Sequence, residues 1–336
     1  MTPTPKVSIL MAVHNAEAFL TEAIESVLRQ TMTSWELLCV DDASTDKSLS
    51  ILWSYAKRDL RVKVFPKTTN CGQAVARNEA LQDARGEYIT MLDADDRLSD
   101  DCLERALAVF DDQTDCVVLR LMQCYDDGRE EVYDTPFTDY VQAGRDEHYD
   151  FPIISGKDAF EASLDWRLHG LYMVRAHLHK RYLYDTSCRL YSDDNTSHLH
   201  YLHSRHVRFC MGTYYYRKHA QSCTNAISSN RFLLMQANLS LSLTLRAEKV
   251  SEDVMKFYES YRWLNYIGQW WLYENHKEEL SPQEREMVLC RFRNIYETFQ
   301  GKPVPSKFGY TRYANYRLFL LQEKAYFFLR KLLGRK

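Results

Sequence analysis

The chain has 336 residues, which is enough for one large domain or for one domain with an appendage. Hydrophobic residues make up 45% of it and charged residues 26%, as is ordinary for a globular protein with a hydrophobic core. The formal net charge of −3 argues against a nucleic-acid-binding protein, because such proteins need a basic excess to neutralise phosphates.

The cysteines and the N-terminal segment bear on the compartment in which the chain folds. No Cys-x-x-Cys pair occurs among the nine cysteines, and an odd number cannot all pair within one chain. Free thiols in a reducing compartment are therefore expected rather than a disulfide framework or a zinc site. The run MTPTPKVSILMAVHN carries one basic side chain and breaks too early for a signal peptide. No run reaches eighteen apolar residues, so we expect a cytoplasmic protein without a membrane-spanning helix.

The first 120 residues alternate between short apolar runs and amphipathic segments. Apolar residues between Ala16 and Leu28 recur with the spacing of one helix face. Residues 44–46 are expected to cap the second helix, and Gly86 is expected at the C-cap of the third. Strands are predicted over residues 7–13, 35–40, 62–65, 88–92 and 116–121. Helices are predicted between them, over residues 16–28, 46–59, 74–84 and 100–112.

Strands that alternate with helices predict an α/β fold, Rossmann-like, with a mainly parallel sheet flanked by helices. Ligands of such sheets bind outside the carboxyl ends of the strands. Three polar clusters stand at these ends, namely His14-Asn15, Asp41-Asp42 and residues 93–96. The sequence therefore predicts a ligand site at this edge of the sheet.

The second half of the chain follows a different pattern. Residues 125–155 are acidic, rich in tyrosine and aperiodic, which indicates a surface excursion, and strand and helix fragments resume up to about residue 216. We expect a catalytic domain over residues 1–225 and a helical C-terminal region over residues 226–336. Long helices are predicted in that region, over residues 231–248, 252–276, 281–299 and 312–333.

Asp93 and Asp95 stand two residues apart directly after the fourth predicted strand. In an extended segment residues i and i+2 point to the same side, so both carboxylates can face one ligand. Hard oxygen ligands of this kind suit Mg²⁺ or Mn²⁺, which complete their coordination with phosphate oxygens and water. The alternative is a solvated turn in which Asp96 caps the following helix.

Asp41 and Asp42 follow the second predicted strand, and Arg77 lies on the third predicted helix. Carboxylates only accept hydrogen bonds, so the two aspartates can contact a base or a ribose. Arg77 would face the same rim of the sheet, where a guanidinium can contact a base carbonyl or a phosphate. The alternatives are an Asx turn that caps the next helix and a surface position for Arg77.

Four segments, in this order and spacing, resemble the family 2 glycosyltransferases of bacterial polysaccharide biosynthesis, which have a GT-A fold. They are VSILMAVHNAEAFLTEAIESVLRQT (7–31), ELLCVDDASTDKS (36–48), NCGQAVARNEAL (70–81) and GEYITMLDADD (86–96). The resemblance is strong over about residues 5–120 and weaker over about 170–225. It implies an inverting transferase that takes a sugar from a nucleotide-diphosphate donor, with UDP as the expected nucleotide.

The resemblance also implies a set of nucleotide contacts. His14 stands where the family commonly has a tyrosine beside the nucleoside, and a histidine ring can stack there as well. The residues expected to contact the nucleotide are Ala12, His14, Asn15, Asp41, Asp42, Arg77, Asp93 and Asp95.

YSDDNTSHLHYL (191–202) is similar to the acidic family motif that heads a helix. The resemblance makes Asp194 the expected general base and Asp193 its support, whereas the alternative is that one of the two caps the helix. As the base, Asp194 would take the proton of the attacking acceptor hydroxyl. One carboxylate base and a direct displacement imply inversion at the anomeric carbon.

YYYRKHAQSCT (214–224) resembles the family segment that closes over the diphosphate. It implies phosphate contacts from Arg217, His219, Ser222 and Thr224, with a structural role for Arg217 as an equal alternative. His219 is also expected to join the metal ligands Asp93, Asp95 and Asp96. A divalent ion there would neutralise the charge that builds on the leaving diphosphate.

Two other functions fit parts of the pattern. A nucleotidyltransferase would carry a Gly- and Arg-rich loop after the first strand, where this chain has His14-Asn15-Ala16-Glu17. A non-catalytic GT-A-like protein that binds a nucleotide or a partner would not need the carboxylates at 93, 95 and 194. The histidines at 198, 200, 203 and 206 lack the spacing of a helical zinc pair, and we expect solvated or core residues.

RLFLLQEKAYFFLRKLLGRK (317–336) mixes Phe and Leu with Arg and Lys at helical spacing. A basic amphipathic helix can lie in an anionic membrane surface, which would fit a lipid-linked saccharide acceptor and a peripheral location on the inner face of the cell membrane. The alternative is a helix packed on the catalytic domain or on the second subunit of a homodimer. The sequence leaves both open, together with the identity of the saccharide acceptor.

Overall fold

The computed structural model describes residues 4–133, 152–219, 227–299 and 316–333. The chain divides into two compact units, residues 1–220 and 221–336. The first is α/β and the second is helical in their described residues. The predicted boundary at residue 225 lies outside the described residues.

The described part of the first unit contains one sheet of ten strands. Its strands are β1 (Val7–Val13), β2 (Trp35–Asp41), β3 (Val62–Pro66), β4 (Tyr88–Met91), β5 (Arg97–Leu98), β6 (Thr114–Tyr125), β7 (Glu130–Val132), β8 (Ile154–Ser155), β9 (Tyr172–Arg175) and β10 (His206–Lys218). They are ordered β3-β2-β1-β4-β9-β6-β10-β5, with β7 on β6 and β8 on β10. The excursion predicted over 125–155 includes the β7 hairpin, and residues 134–151 lie outside the described part.

The predicted α/β class with a sheet flanked by helices is confirmed, and the sheet is mixed. β3, β2, β1 and β4 are parallel neighbours. β9 then lies antiparallel between β4 and β6, and β10 runs parallel to β6. Tyr172, Met173 and Val174 of β9 are buried, so this strand fills the place beside β4 that β6 would take in an uninterrupted βαβ series.

Helices connect these strands, and their bounds differ from the predicted ones by a few residues at one or both ends. The helices are α1 (Leu20–Leu28), α2 (Ser48–Ala56), α3 (Gln73–Asp83), α4 (Cys102–Val109), α5 (Gly156–Ser163), α6 (Ala176–Arg181) and α7 (Asp193–Leu202). α1 begins later than predicted because Ala16 opens a turn, in which its carbonyl accepts the N–H groups of Phe19 and Leu20. α2 begins at Ser48, and its N-cap residue is Lys47, which makes no side-chain cap, so the cap predicted from residues 44–46 is wrong. Asp46, one residue before the N-cap, accepts the Ser48 N–H.

The carboxyl ends of β1, β2 and β4 meet at one edge of the sheet. β1 is central and almost wholly buried, as expected of a parallel strand covered on both faces. Its register aligns Val13 with Asp41, and Leu10 with Met91, two residues before Asp93. The polar clusters that follow these three strands therefore emerge at the same edge.

The second unit has four α-helices and two short 3-10 helices, Ser229–Leu233 and Lys277–Glu279, in its described residues. The α-helices are α8 (Leu234–Ala247), α9 (Glu252–His276), α10 (Pro282–Glu297) and α11 (Tyr316–Leu332). Trp263 and Trp270 of α9, Phe292 of α10 and Phe319 of α11 are buried in one aromatic core. Ser281 begins α10 with a capping box, as its sequence favours. None of the described helices is both long and apolar enough to cross a membrane.

Gly86 does not cap α3, contrary to the prediction. α3 ends at Asp83, Ala84 is extended, and Gly86 lacks the positive φ of a C-cap glycine. The Gly86 N–H donates to Oγ of Ser8 (2.8 Å), and a Cβ on Gly86 would stand 2.5 Å from the Ser8 backbone nitrogen. Glycine is required because the loop and β1 approach each other backbone to backbone.

Replacing Gly86 by alanine is therefore expected to lower the free energy of unfolding by about 1–3 kcal/mol, since the methyl group must displace backbone atoms. Gly268→Ala is the matched control, because a Cβ on Gly268 meets no atom within 4 Å and a helix interior favours alanine. Urea-induced unfolding followed by circular dichroism measures both changes. A Gly86→Ala protein as stable as wild type would contradict the proposed backbone contact.

Candidate active site

The loop after β4 carries three carboxylates that lie close together. One oxygen each of Asp93, Asp95 and Asp96 falls within 4.8 Å of the others. Burial raises the pKa of Asp96 well above its usual range, and the charges of Asp93 and Asp95 add to this effect. Burial also raises the pKa of Asp93, against the attraction of Arg77. Carboxylates that resist ionisation side by side are stabilised by a divalent cation, so this oxygen donor set fits Mn²⁺ or Mg²⁺.

Asp96 binds β10 to this loop instead of capping a helix, so that alternative is wrong. Oδ2 of Asp96 accepts from the Tyr214 hydroxyl (2.8 Å), which in turn accepts from the N–H of Asp93 (3.0 Å). Oδ1 accepts from the backbone N–H of Arg217 (2.7 Å). α4 begins only at Cys102. Both oxygens of Asp96 are thus engaged, which makes Asp93 and Asp95 the more available metal ligands.

Arg217, near the end of β10, and His219, directly after it, contact the same loop. Nε2 of His219 lies 3.0 Å from Oδ2 of Asp95, within reach of the predicted metal position. Nε of Arg217 donates to the Asp95 carbonyl oxygen (2.9 Å), and its guanidinium also pairs with Glu22. Arg217 therefore has a structural role, and its phosphate contact stays a prediction. Ser222 and Thr224 lie outside the described residues.

Arg77 joins the two halves of the site and is not a surface arginine. Its side chain is 1% exposed although it lies on a helix between two loops. Its guanidinium pairs with Asp93 and, through Nη1, with Oδ2 of Asp193 (2.7 Å). Gln73, one turn earlier on α3, donates to the same oxygen of Asp193 (2.9 Å). The predicted contact between Arg77 and a nucleotide stays a prediction. The two ion pairs show that Arg77 connects the loop after β4 to the start of α7.

Asp193 and Asp194 occupy the first turn of α7 and do not serve as its N-cap. Ser192 holds the N-cap position, and no side chain caps the helix there. Burial raises the pKa of Asp194 well above its usual range, and the charge of Asp193 adds to this effect. A carboxylate with a raised pKa is a stronger base when it is ionised. Asp194 therefore has the chemical character expected of a general base.

A small cavity lies beside the two aspartates and is lined by α7, β4 and β9. His179 lines it and has a buried Nδ1 without a hydrogen-bond partner among the described atoms. Burial lowers the pKa of His179 to about 4, so this ring is neutral at physiological pH. On the β4 side the cavity is lined by the uncharged residues Ile89, Thr90 and Met91.

Asp41 and Asp42 have different roles at the end of β2. Both oxygens of Asp42 accept backbone N–H groups, from Cys71 (2.8 Å) and from Gly72 (2.7 Å), so Asp42 holds the loop before α3. Oδ2 of Asp41 accepts from the N–H of Ser44 (3.2 Å), in the Asx turn that was the alternative interpretation. Oδ1 of Asp41 is buried and has no partner among the described atoms. A ligand N–H would satisfy that oxygen, because buried polar atoms are normally hydrogen-bonded.

The loop after β1 approaches the same place. Nδ1 of the exposed His14 lies 3.0 Å from the carbonyl oxygen of Asp42. Asn15 has a φ of 51° and accepts the N–H of Thr45 (2.8 Å), which ties the loops after β1 and β2 together. Ala12, in β1, is partly buried. The structure thus brings these predicted nucleotide contacts to one rim, and their binding role stays a prediction.

The histidines of α7 belong to the core. Nδ1 of His198 lies 2.8 Å from the Ser163 hydroxyl, and Nδ1 of His200 lies 2.6 Å from the Tyr172 hydroxyl. Burial lowers the pKa of both rings, that of His198 to about 4. His203 stacks on Tyr182. These contacts give the histidines packing roles within α7 and its neighbours.

Sequence reasoning missed two residues of the site. Gln73 precedes Arg77 by one helical turn, and this i, i+4 spacing could have placed both on one face of α3. Tyr214 stands in a run of three tyrosines, and no local signal separates it from its neighbours. Its role depends on the antiparallel pairing of β10 with β5, which aligns Tyr214 with Leu98 beside the acidic loop.

Part of this chain is similar in sequence to known proteins. The family described as Glycosyl transferase family 2 matches residues 8–179, slightly more than half of the chain. An uncharacterized glycosyltransferase of Haemophilus influenzae is 48% identical over 103 residues, which cover 31% of this chain and 41% of the relative. The putative glycosyltransferase EpsH of Bacillus subtilis is 34% identical over 175 residues, which cover 52% of this chain and 49% of the relative. The chain spans less than half the length of the curated relatives it matches.

Solved structures of S. aureus TarS have the same fold. TarS 1–349 in complex with UDP-GlcNAc has a TM-score of 0.64 at 19% identity, covering 86% of this chain and 81% of that chain. The complex of TarS 1–349 with UDP has a TM-score of 0.61 at 20% identity, covering 86% of this chain and 80% of that chain. This likeness confirms the predicted GT-A fold.

Proposed function

The chain belongs to glycosyl transferase family 2, and we propose on that basis that it transfers a sugar from a UDP-sugar to a hydroxyl of a glycan or of a lipid-linked saccharide. The transfer inverts the anomeric carbon and is assisted by Mn²⁺ or Mg²⁺. The main observation behind the proposal is the Arg77 bridge, by which we mean the two ion pairs of Arg77 with Asp93 and Asp193. This bridge holds the carboxylates of the loop after β4, which suit a metal ion, beside the helix that presents Asp194. Carboxylates that hold a cation assist the departure of the diphosphate, and a carboxylate base assists the attack by the hydroxyl. Both must lie beside the same sugar.

The nucleotide binds at the rim formed by β1, β2 and α3. The unpartnered Oδ1 of Asp41 accepts an N–H of the base, and His14 and Asn15 border the nucleoside. S. aureus TarS, which has the same fold, has been solved with UDP and with UDP-GlcNAc, and this supports UDP as the nucleotide. Asp42 acts indirectly, since its oxygens already hold the loop that leads into α3.

The diphosphate lies over the loop after β4. Asp93, Asp95 and His219 would hold a divalent cation, which would supply positive charge against the leaving diphosphate, an effect of several kcal/mol. Arg77 keeps one oxygen of Asp93 occupied, and the other oxygen is the one that would bind the cation. Arg217 fixes the Asp95 backbone from the opposite side and has N–H groups left for phosphate oxygens.

The acceptor lies at the start of α7. Asp194 accepts the proton of the attacking hydroxyl, and Asp193 is held in place by Arg77 and Gln73. With Asp194 as the base and no covalent step, the hydroxyl attacks the face of the sugar opposite to the diphosphate. Inversion of the anomeric configuration follows from this direct displacement.

A nucleotide-binding titration tests the proposal. We expect UDP to bind the full chain in Mn²⁺ or Mg²⁺ and to bind at least about 10-fold more weakly in EDTA or after Asp95→Asn, because a metal ligand is lost. Asp100→Asn is the matched control, since Asp100 is 58% exposed and pairs only with Arg29 among the described residues. Isothermal titration calorimetry gives the affinities.

Hydrolysis of a panel of nucleotide sugars by the same proteins then identifies the donor. Slow metal-dependent hydrolysis of one donor, lost in Asp95→Asn, is the expected result. The absence of binding by UDP, GDP and dTDP in the presence of metal would contradict the proposed transfer. Metal-dependent binding without turnover of any donor in the presence of saccharide acceptors would favour a non-catalytic nucleotide-binding protein.

A further inference from the structure

Helix α11 is packed on one side only within the second unit. Phe319 is fully buried and Glu323 is 1% exposed, with its carboxylate accepting the indole N–H of Trp271 (3.0 Å). Tyr326 stacks on the same indole, and the guanidinium of Arg330 lies over it. These contacts define the packed side of α11.

A mainly apolar stripe, with Gln322 as its one polar residue, runs along a different side of the described part of the helix. At about 100° per residue, its six large apolar members fall within an arc of about 140° that excludes Phe319 and Glu323. They are 38–69% exposed, and large apolar side chains rarely form a contiguous exposed patch without a binding role. The large apolar members of this stripe are Leu318, Leu321, Phe328, Leu329, Leu332 and Leu333.

A row of cations borders the stripe. Arg317, Lys324 and Lys331 are exposed and stand seven residues apart, so they lie on nearly one line along the helix. The only acidic residue between 316 and 333 is Glu323, which is buried against Trp271. The described part of α11 is therefore basic in a chain whose net charge is −3.

We propose that this stripe binds the surface of a bilayer that contains anionic phospholipids, with α11 lying in the plane of the interface. The apolar residues insert among the acyl chains, and the stems of Arg317, Lys324 and Lys331 extend their charges to the lipid phosphates. A second copy of α11 is a poorer partner, because an antiparallel pair of stripes would set the two rows of cations against each other. The inference does not depend on sugar transfer, since no donor or acceptor takes part.

Flotation of the full chain with vesicles tests the proposal. We expect binding to vesicles of phosphatidylcholine mixed with phosphatidylglycerol, weak binding to phosphatidylcholine alone, and loss of binding at high salt. Lys324→Gln with Lys331→Gln should lower the partition coefficient roughly 25-fold, about fivefold for each lysine. Leu321→Ser with Phe328→Ser should lower it at least about 10-fold.

A control pair of substitutions shows whether binding depends on the position of the lysines or only on the total charge of the chain. Lys157→Gln with Lys256→Gln removes two lysines whose side chains are 77% and 70% exposed, and it should leave the partition coefficient within about twofold of wild type. Equal losses in both lysine pairs, or equal binding to neutral and anionic vesicles, would overturn the proposal. Sedimentation velocity without lipid tests whether the stripe binds a second copy of the chain instead. An oligomer of the wild type that the double variant Leu321→Ser with Phe328→Ser dissociates would overturn the proposal.

Discussion

Replacing Asp194 by asparagine is expected to lower the turnover number of sugar transfer by roughly 10²–10⁴-fold, which is the usual contribution of a general base. The change keeps the shape of the side chain and removes only its capacity to accept a proton as an anion. UDP affinity should stay close to that of wild type, because Asp194 lies in the first turn of α7, where we propose that the acceptor binds, and not at the proposed nucleotide rim. Initial rates with the identified donor, together with calorimetric binding of UDP, measure the two effects separately.

The pH profile gives a second readout of Asp194. Burial raises its pKa, so transfer should be lost as the pH falls through that raised value, above the range of an ordinary carboxyl group. Asp193→Asn removes the neighbouring negative charge that adds to the shift, and the acidic limb of the profile should therefore move to lower pH. Asp194→Asn should remove this limb together with the activity.

A stability measurement shows whether a loss of activity in Asp194→Asn comes from unfolding. A raised pKa means that the folded state binds this proton more tightly than the unfolded chain, so ionisation at neutral pH costs stability. The asparagine variant should thus be at least as stable as wild type at neutral pH. Transfer within tenfold of wild type in a folded Asp194→Asn protein would exclude Asp194 as the base.

Replacing Arg77 by methionine is expected to lower the free energy of unfolding by about 3–5 kcal/mol, since a buried cation that compensates two carboxylates is removed. Asp93 and Asp193 would keep their burial without the partner that lies between them. Burial raises the pKa of Asp93 and the attraction of Arg77 opposes that rise, so the loss should be smaller at acid pH, where this carboxyl group is protonated and needs no cation. Urea-induced unfolding at several pH values, without ligand, measures both effects.

Arg85→Met is the matched control for Arg77→Met. Arg85 also pairs with a buried carboxylate, that of Glu36, but its own side chain is 49% exposed. We expect this variant to lose no more than about 1 kcal/mol, as is usual for an ion pair that water screens. Equal losses of unfolding free energy in the two variants would show that the Arg77 bridge stabilises the fold no more than an exposed ion pair does.

The periodicity of the sequence determined the local architecture of the first 120 residues. The strands β1 to β4 and the helices between them lie within a few residues of their predicted positions, because short apolar runs and helical periodicity are properties of neighbouring residues. The same pattern indicated that Asp41, Asp42 and Asp93 would emerge at one edge of the sheet, since parallel strands share their carboxyl ends. The four family segments pointed to the GT-A fold only through their resemblance to family 2 glycosyltransferases.

Only the tertiary structure decided how these groups are connected. Arg77 meets Asp193 across 116 positions of the chain, and β9 enters the sheet beside β4 from a segment with no clear period. Gly86 and Asp42 likewise hold backbone of distant segments, although each looked like a local cap or a ligand contact. Local periodicity reports which side of an element is buried, but the partner of a buried charge depends on which distant segment folding brings to that side.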